Sequence, residues 1–385
     1  MKLVGYEFKK YILKPSVIAF VFLFLILNIC KIFEIYFYLG DGRSVVSGET
    51  NISKARRELY EKYGGKITDE KINALKKETE SAQKKLEETG ITNEPMEGFY
   101  TGYPFGDVQL LKYELIPAYE YAILYSNHSD YITSIAIENI SYFAEASPYE
   151  AARNKLIASS YINRRVDYCV KSDGFIKLFD YKFSTLLSML LIILTLSPIF
   201  SGEYVNGSDK LIKATGKRIL SIKTKLITAF VFIAFLSVIF FAEDMLTIGL
   251  FYGMDCFEAP IFALKEYLNC PFGITISSAV LISFLGRFIF ILCFTSVICA
   301  LSSVFKSTVS SFISSIGFGA LLVILSEVLP KPIDITNLIY MSDFYTEFSV
   351  CNIFGVPVFS LVVVMIISLL LSGISLLITV RRAFR

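Results

Sequence analysis

Residues 276–305 read ISSAVLISFLGRFIFILCFTSVICALSSVF and contain a single charged residue, Arg287. In a helix each residue adds 1.5 Å, so about 20 residues cross the roughly 30 Å hydrocarbon core of a bilayer. The stretch exceeds that length and is too apolar for the core helix of a soluble domain. It therefore predicts a membrane span.

The rest of the chain repeats this pattern. The predicted spans are residues 16–39, 183–200, 226–252, 276–305, 307–329 and 356–380. Of the 385 residues 54% are hydrophobic and 19% are charged, whereas soluble domains carry about 25% charged residues, and the mean hydropathy is +0.57. We expect a membrane α-helical fold with six transmembrane helices, of which the last four occupy residues 226–380.

Residues 40–179 have an ordinary soluble composition and predict a mainly helical extracytoplasmic domain, inserted between transmembrane helices 1 and 2. Thr68 is a good N-cap residue and Gly90 a good stop signal, so a helix is expected between them. Its apolar stripe is formed by Ile72, Leu75, Thr79, Ala82 and Leu86. This stripe fits packing within the domain or a partner-binding coiled coil.

Basic residues are distributed asymmetrically among the segments outside the spans. Residues 1–15, residues 202–225, Lys306 and the tail at 381–385 carry fourteen Lys and Arg, against two in the short loops opposite. Since Lys and Arg concentrate in cytoplasmic loops, we expect a multi-pass protein of the cell membrane with both termini in the cytoplasm.

Residues 1–15 form a predicted amphipathic segment on the inner membrane surface. Apolar side chains recur at helical spacing between lysines, at Val4, Phe8, Tyr11 and Ile12, and Pro15 is expected to start the first span. A cleaved signal peptide is the alternative. It is disfavoured because no small-residue cleavage site follows the apolar run.

The sequence also excludes several kinds of chemistry. With one histidine, His128, the chain cannot form a His-rich metal site, and no phosphate-binding G-x-x-x-x-G-K-[ST] motif occurs. We therefore expect no enzyme activity, no metal and no cofactor in this chain, and no nucleic-acid partner.

Residues 202–227, GEYVNGSDKLIKATGKRILSIKTKLI, form a basic segment between the second and third spans. Leu211, Thr215, Ile219 and Ile222 can share one helical face among the lysines. That pattern predicts an amphipathic helix. It fits either a protein partner or an interfacial helix attracted to anionic membrane lipid.

The same segment resembles the loop of ABC-2 type transporter permeases. In that family the second span ends in Glu, followed by three residues, Gly-Ser or Gly-Thr, a short helix, a basic turn and a Lys that opens the third span. The matching residues here are Glu203, Gly207, Ser208, Arg218 and Lys225. Gly216 stands near the place where the family often has proline.

This resemblance implies the permease subunit of an ATP-driven exporter of a peptide, a lipid or an amphiphilic drug-like cargo. It would pair with a second permease copy or a paralogue, and with separate ABC ATPase subunits that hold ATP and Mg. The residues expected to couple the permease to the ATPase are Glu203, Gly207, Ser208, Leu211, Thr215, Arg218, Ile219 and Lys225.

Arg287 is the charge that most needs an explanation, because it stands within a span. An unpaired charge there costs at least about 2.5–3.5 kcal/mol on insertion scales. The carboxylates available to pair with it within spans are Glu34, Glu243, Asp244 and Glu327. Arg287 either forms a structural pair between helices or contacts cargo.

Three other hypotheses compete with the exporter. The chain could be a membrane-anchored receptor or an immunity protein, whose outer domain binds a ligand without pumping. A four-span permease is disfavoured by the six predicted spans. An intramembrane enzyme is disfavoured because the only histidine lies outside the spans.

The predicted topology can be tested by cysteine labelling. In a variant without the native outside cysteines, an impermeant thiol reagent added to intact cells should label Ser81→Cys and leave Ser208→Cys unlabelled. The reverse result would rule out the proposed orientation.

Overall fold

The computed structural model describes residues 2–39, 52–91 and 95–384, and this part of the chain is mostly helical. The helices are α1 (Lys2–Tyr11), α2 (Pro15–Leu39), α3 (Ile52–Tyr63), α4 (Asp69–Thr89), α5 (Pro104–Leu110), α6 (Ile116–Phe143), α7 (Pro148–Tyr161), α8 (Asp173–Asp180), α9 (Phe183–Leu196), α10 (Pro198–Val205), α11 (Ser208–Ala214), α12 (Arg218–Tyr252), α13 (Ile276–Val304), α14 (Thr308–Val328), α15 (Ser342–Thr346) and α16 (Ser360–Phe384). The strands pair as two antiparallel ribbons, β1 (Gly65–Lys66) with β2 (Tyr168–Cys169) and β3 (Val350–Ile353) with β4 (Val356–Phe359).

Within the described residues, six helical segments are long and apolar enough to cross a membrane. Five of them are the helices α2, α12, α13, α14 and α16, and the sixth is the broken rod Asp173–Val205, which joins α8, α9 and α10. The number agrees with the prediction, and α2, α13 and α14 begin and end within one residue of the predicted spans.

The second span differs from the prediction of one helix over residues 183–200. Pro198 interrupts it, so that α9 ends at Leu196 and α10 begins at Pro198, because proline cannot donate the helical hydrogen bond. Serines of the next two spans bind the broken backbone: Ser302 Oγ and Ser311 Oγ each donate to the Ser197 carbonyl at 2.6 Å. Such side-chain partners are what allow a helix break inside a membrane.

The third span begins earlier than the predicted residue 226. No glycine or proline occurs from residue 217 to 248, so α12 starts directly after the turn at Gly216, where φ is +67°. The predicted coupling loop at 202–225 is therefore not a single element. It consists of the end of α10, the short α11 and the first two turns of α12.

The sixth span begins later than the predicted residue 356. Residues Val356–Phe359 form β4 and pair with β3 across the turn at Phe354 and Gly355, so α16 starts at Ser360. At its other end α16 continues through Arg381 and Arg382 to Phe384. The described part of the predicted tail is thus a continuation of the helix.

With an even number of spans, the first and the last described residues lie at the same end of the helical bundle. We call the end of the bundle that carries α1, α11 and the end of α16 the basic face, and the end that carries residues 52–172 the domain face. The helix α1 packs against the start of α12 on the basic face.

The domain on the domain face has its own hydrophobic core. The predicted helix is α4: the Thr68 side chain accepts a hydrogen bond from the Lys71 backbone N–H at 3.3 Å, and Gly90 ends the helix with φ +70°. Leu75 and Ala82 of its apolar stripe are buried in the domain core. Packing within the domain therefore accounts for the stripe without a partner coiled coil. Residues 40–51 and 92–94 of the predicted domain lie outside the described residues.

The domain is fastened to the loop that joins α12 to α13. Tyr121 Oη donates to the Phe262 carbonyl at 2.7 Å. The buried Arg164 donates to the carbonyls of Cys270 at 2.6 Å and Pro271 at 2.8 Å, and its guanidinium carbon lies 4.7 Å from the Phe262 ring centroid. These contacts fix the domain on the ends of the spans at the domain face.

Candidate functional site

Among the described residues, the membrane part of the structure holds two buried charged centres, one around Arg287 and one around Lys225. In the first, Arg287 Nη1 lies 3.1 Å from Asp244 Oδ2, which joins α13 to α12. Its Nη2 donates to the Leu178 carbonyl in α8 at 2.5 Å. Asp244 is fully buried and Arg287 is 5% exposed, so this ion pair faces protein and not lipid.

Further polar groups surround Asp244. Ser184 Oγ of α9 donates to Asp244 Oδ2 at 2.5 Å, and Asn28 Nδ2 of α2 donates to Asp244 Oδ1 at 2.8 Å. Tyr181 Oη in turn donates to Asn28 Oδ1 at 2.8 Å. A buried carboxylate is stable only when such donors replace the water it has lost. One centre thereby connects α2, α8, α9, α12 and α13.

Two of the other carboxylates considered for Arg287 have different partners. Glu34 pairs with Lys31 of its own helix at 2.9 Å, with both side chains more than a third exposed. Glu243 accepts a hydrogen bond from Asn28 Nδ2 at 3.1 Å. Glu327 belongs to α14, and its side chain lies outside the described residues. Asp244 is thus the candidate that the fold brings to Arg287.

A small cavity of about 10 Å³ adjoins the Arg287 centre. It is lined by Ser184, Thr185, Ser188, Ser237, Phe240, Phe241, Asp244, Phe284, Arg287 and Ile291. This volume accommodates a single water at most. The geometry accordingly favours the structural interhelical pair over direct contact with cargo.

The second centre lies near the basic face, where Glu203 of α10 meets Lys225 of α12. Glu203 Oε2 lies 2.5 Å from Lys225 Nζ, and the two side chains are 11% and 1% exposed. The ammonium also lies 4.8 Å from the Phe200 ring centroid, a distance at which cation–π attraction operates. In the resemblance to ABC-2 type permeases, Glu203 and Lys225 are two separate positions of the motif. In the fold their side chains are in direct contact.

Glu203 is not a helix N-terminal carboxylate. It stands in the last turn of α10, Pro198–Val205, where the helix dipole disfavours a negative charge. The Lys225 ammonium compensates that charge. Replacing Glu203 would therefore leave a buried cation without its partner, a larger disturbance than a helix-dipole effect of about 0.3–1 kcal/mol.

The N-terminal helix adds a carboxyl group to this centre. Glu7 of α1 is 6% exposed, and its Oε2 has no hydrogen-bond partner among the described residues. Burial raises the pKa of Glu7 above its ordinary 4.5; Lys225 and Lys10 oppose this rise, and Glu203 adds to it. The predicted amphipathic segment is thus packed on the bundle through a buried acid, which the apolar spacing did not reveal.

The expected single helical face of the coupling segment is wrong. Leu211 lies in α11, Thr215 follows it, and Ile219 and Ile222 belong to α12 beyond the turn at Gly216. Gly207, with φ +68°, and Ser208 mark the start of α11. Two positive-φ glycines divide the segment because only glycine adopts that backbone readily.

The segment nevertheless presents apolar side chains at the basic face. Leu211 is 69% exposed, whereas Ile222 is buried in the core. The other exposed apolar side chains here are Val205, Ile219 and Leu220. A cavity of about 30 Å³ lies behind α11, lined by Phe200, Glu203, Tyr204, Asp209, Ile212, Arg218, Ser221, Ile222, Lys225 and Ser303.

The sequence did not predict four residues of these two centres: Asn28, Ser184, Tyr181 and Glu7. Asn28 carried the clearest signal, because an amide inside an apolar span needs a partner. Ser184 and Tyr181 are residue types that occur commonly at span ends, and the Leu178 carbonyl has no side-chain signature at all. Sequence spacing gave no sign that these groups meet.

The Arg287–Asp244 pair can be tested by a double-mutant cycle. Arg287→Met or Asp244→Asn alone should destabilise the protein by about 3–5 kcal/mol, because each leaves one buried charge uncompensated. The double variant should recover much of the folded yield and of the thermal midpoint in detergent. Lys31→Met, in the exposed pair with Glu34, is the control and should cost about 0–1 kcal/mol. If the thermal midpoint of the double variant is no higher than that of the less stable single variant, the pairing is contradicted.

Glu7→Gln tests the buried acid through pH. A carboxyl group whose folded pKa is raised favours the folded state below about pH 4.5 and loses that contribution as the pH rises through the folded pKa. Glutamine has no such loss. The thermal midpoint of Glu7→Gln should therefore exceed that of the parent at pH 7, and the difference should vanish near pH 4.5. A lower midpoint at pH 7 would contradict this.

The chain matches no protein-family model, no curated protein and no solved structure. The resemblance to ABC-2 type permeases therefore rests on the matching residues between Glu203 and Lys225.

Proposed function

We propose that the chain is the permease subunit of an ATP-driven exporter of the ABC-2 type, placed in the cell membrane with its basic face in the cytoplasm. The observation that carries this proposal is the buried Glu203–Lys225 pair beside the exposed α11. In this proposal the energy comes from a separate ATPase that holds ATP and Mg.

The pair gives α11 a rigid support. Glu203 and Lys225 flank the segment in sequence, and their contact ties the end of α10 to the second turn of α12. The α11 helix lies between these two anchored ends, with Leu211 exposed. A force applied to α11 would therefore act on two spans together, as coupling to an ATPase requires.

The Arg287 centre supports the same proposal from the other end of these spans. It joins α12 to α8, α9, α2 and α13 near the domain face. Displacement of α10 and α12 at the basic face would thereby reach the domain face. A second permease copy or a paralogue would complete the pathway for a peptide, a lipid or an amphiphilic drug-like cargo.

A ligand-binding receptor is the second candidate, and one feature of the domain favours it. A cleft of about 540 Å³ lies beside the start of the broken rod Asp173–Val205. It is lined by Arg56, Tyr60, Gln109, Leu110, Tyr113, Glu114, Lys171, Ser172 and Asp173. Within it Arg56 Nε pairs with Glu114 at 2.8 Å. Burial raises the pKa of Glu114, against the lowering by Arg56.

The proposed coupling can be tested by co-purification with the ATPase encoded in a neighbouring reading frame. Leu211→Asp and Ile219→Asp should leave insertion and the thermal midpoint intact, because both side chains are at least half exposed. They should lower ATPase recovery and permease-stimulated ATP hydrolysis at least about tenfold, because a desolvated charge at an interface core costs more than about 1.4 kcal/mol.

Leu3→Asp is the matched control. Leu3 is 46% exposed on α1, also at the basic face, and its replacement should preserve ATPase recovery. If Leu211→Asp and Leu3→Asp weaken binding to anionic vesicles equally and neither changes ATP hydrolysis, the segment is a lipid-binding element. Failure to recover any ATPase with the parent chain would favour the receptor.

A further inference from the structure

The hairpin formed by β3 and β4 ends in an unusual turn. Phe354 and Gly355 connect the strands, with φ values of +51° and +86°, and Ile353 pairs with Val356 on either side. Two-residue turns with both φ values positive favour Asn-Gly, because bulky side chains rarely adopt positive φ. A phenylalanine is therefore retained at a position that its backbone disfavours.

Phe354 contributes no packing that explains this cost. Its side chain is fully exposed, at 103% of the reference area, and Ile353 and Val356 beside it are 38% and 59% exposed. Strained positions of this kind commonly have a functional reason. The strand β4 packs against α7 of the domain, whereas the tip of the hairpin, residues 353–356, is an exposed apolar projection.

The charge pattern indicates what covers the tip. No Asp, Glu, Lys or Arg occurs between Glu347 and Arg381, so the hairpin and the span α16 form one uncharged stretch. Charged side chains are one of the devices that protect exposed strands in water. This hairpin instead has the composition of the lipid-facing span that it enters.

The hairpin is also fixed close to the membrane boundary. Ser349 Oγ and Ser360 Oγ lie 2.7 Å apart at its base, and the Phe359 ring lies 5.1 Å from that of Phe272 and 5.8 Å from that of Phe348. The strand of four residues from Ser360 to the tip reaches about 13 Å. The tip therefore lies within about 13 Å of Ser360, the residue at which the span α16 begins.

We propose that the hairpin tip, residues 353–356, inserts into the lipid leaflet on the domain face and anchors the outer end of α16 there. The apolar side chains enter the boundary between headgroups and acyl chains. Burial of Phe354 in lipid compensates for its positive φ. This role depends on the membrane and is independent of the proposed ATPase coupling.

The test uses the absence of tryptophan from the whole chain. Phe354→Trp introduces a single fluorophore into the full-length protein, reconstituted in nanodiscs of phosphatidylcholine brominated near the headgroup end of the acyl chains. Two references calibrate it: Phe22→Trp on α2, where the side chain is 62% exposed in a span, and Tyr131→Trp on α6, where it is 65% exposed on the domain.

We expect brominated lipid to quench the Phe354→Trp protein by at least about half the extent seen with Phe22→Trp, since bromine acts only at short range. Iodide in the buffer should quench Phe354→Trp several-fold less than Tyr131→Trp. Quenching by iodide without quenching by bromine would place the tip in water and overturn the proposal. Protection from both quenchers would place it against protein, which also overturns it.

A second set of variants covers the case in which Phe354→Trp does not fold. Phe354→Asn creates the favoured Asn-Gly turn, so the thermal midpoint in detergent should be unchanged or higher. Combined with Val356→Trp as the fluorophore, Phe354→Asn should reduce bromine quenching at least about twofold relative to Val356→Trp alone. Equal quenching in the two proteins would show that Phe354 does not hold the tip in lipid.

Discussion

The bundle depends on compensation of one buried guanidinium. Arg287 can be kept inside the membrane only if its charge and its donors are satisfied by protein, and Asp244 and the Leu178 carbonyl do this. Because Asp244 is itself held by Ser184 and Asn28, the requirement extends to five helices. Spans that gain little from the hydrophobic effect against lipid are thereby given a specific arrangement at the domain face.

A second compensation organises the basic face. The Lys225 ammonium neutralises Glu203 at the end of α10 and lies over the Phe200 ring. Between these two residues the chain makes the short α11, bounded by glycines with positive φ, and then the first two turns of α12. A short exposed helix held between two anchored spans is suited to receive force from a partner. This arrangement is the physical basis of the proposed coupling to an ATPase.

Backbone groups that lose their helical hydrogen bond inside the bundle are also paired with other parts of the protein. Pro198 breaks the second span, and the hydroxyls of Ser302 and Ser311 satisfy the Ser197 carbonyl that remains. The break therefore connects the second span to α13 and α14 through direct hydrogen bonds. It also ends α9 before the basic face, so that α10 can turn Glu203 toward Lys225.

The sequence by itself determined which segments are long and apolar enough to span a membrane, because that depends only on length and composition. It also determined the caps of α4, since Thr68 and Gly90 act on their own helix ends. Sequence patterning could not decide that Val356–Phe359 pair as a strand, because a short apolar run fits a strand or a span equally well. Nor could it choose Asp244 among the carboxylates, or bring Glu7 and Glu203 toward Lys225. Only the tertiary structure decided these contacts, because groups far apart in the chain meet only where packing fixes the rotation of each helix about its axis.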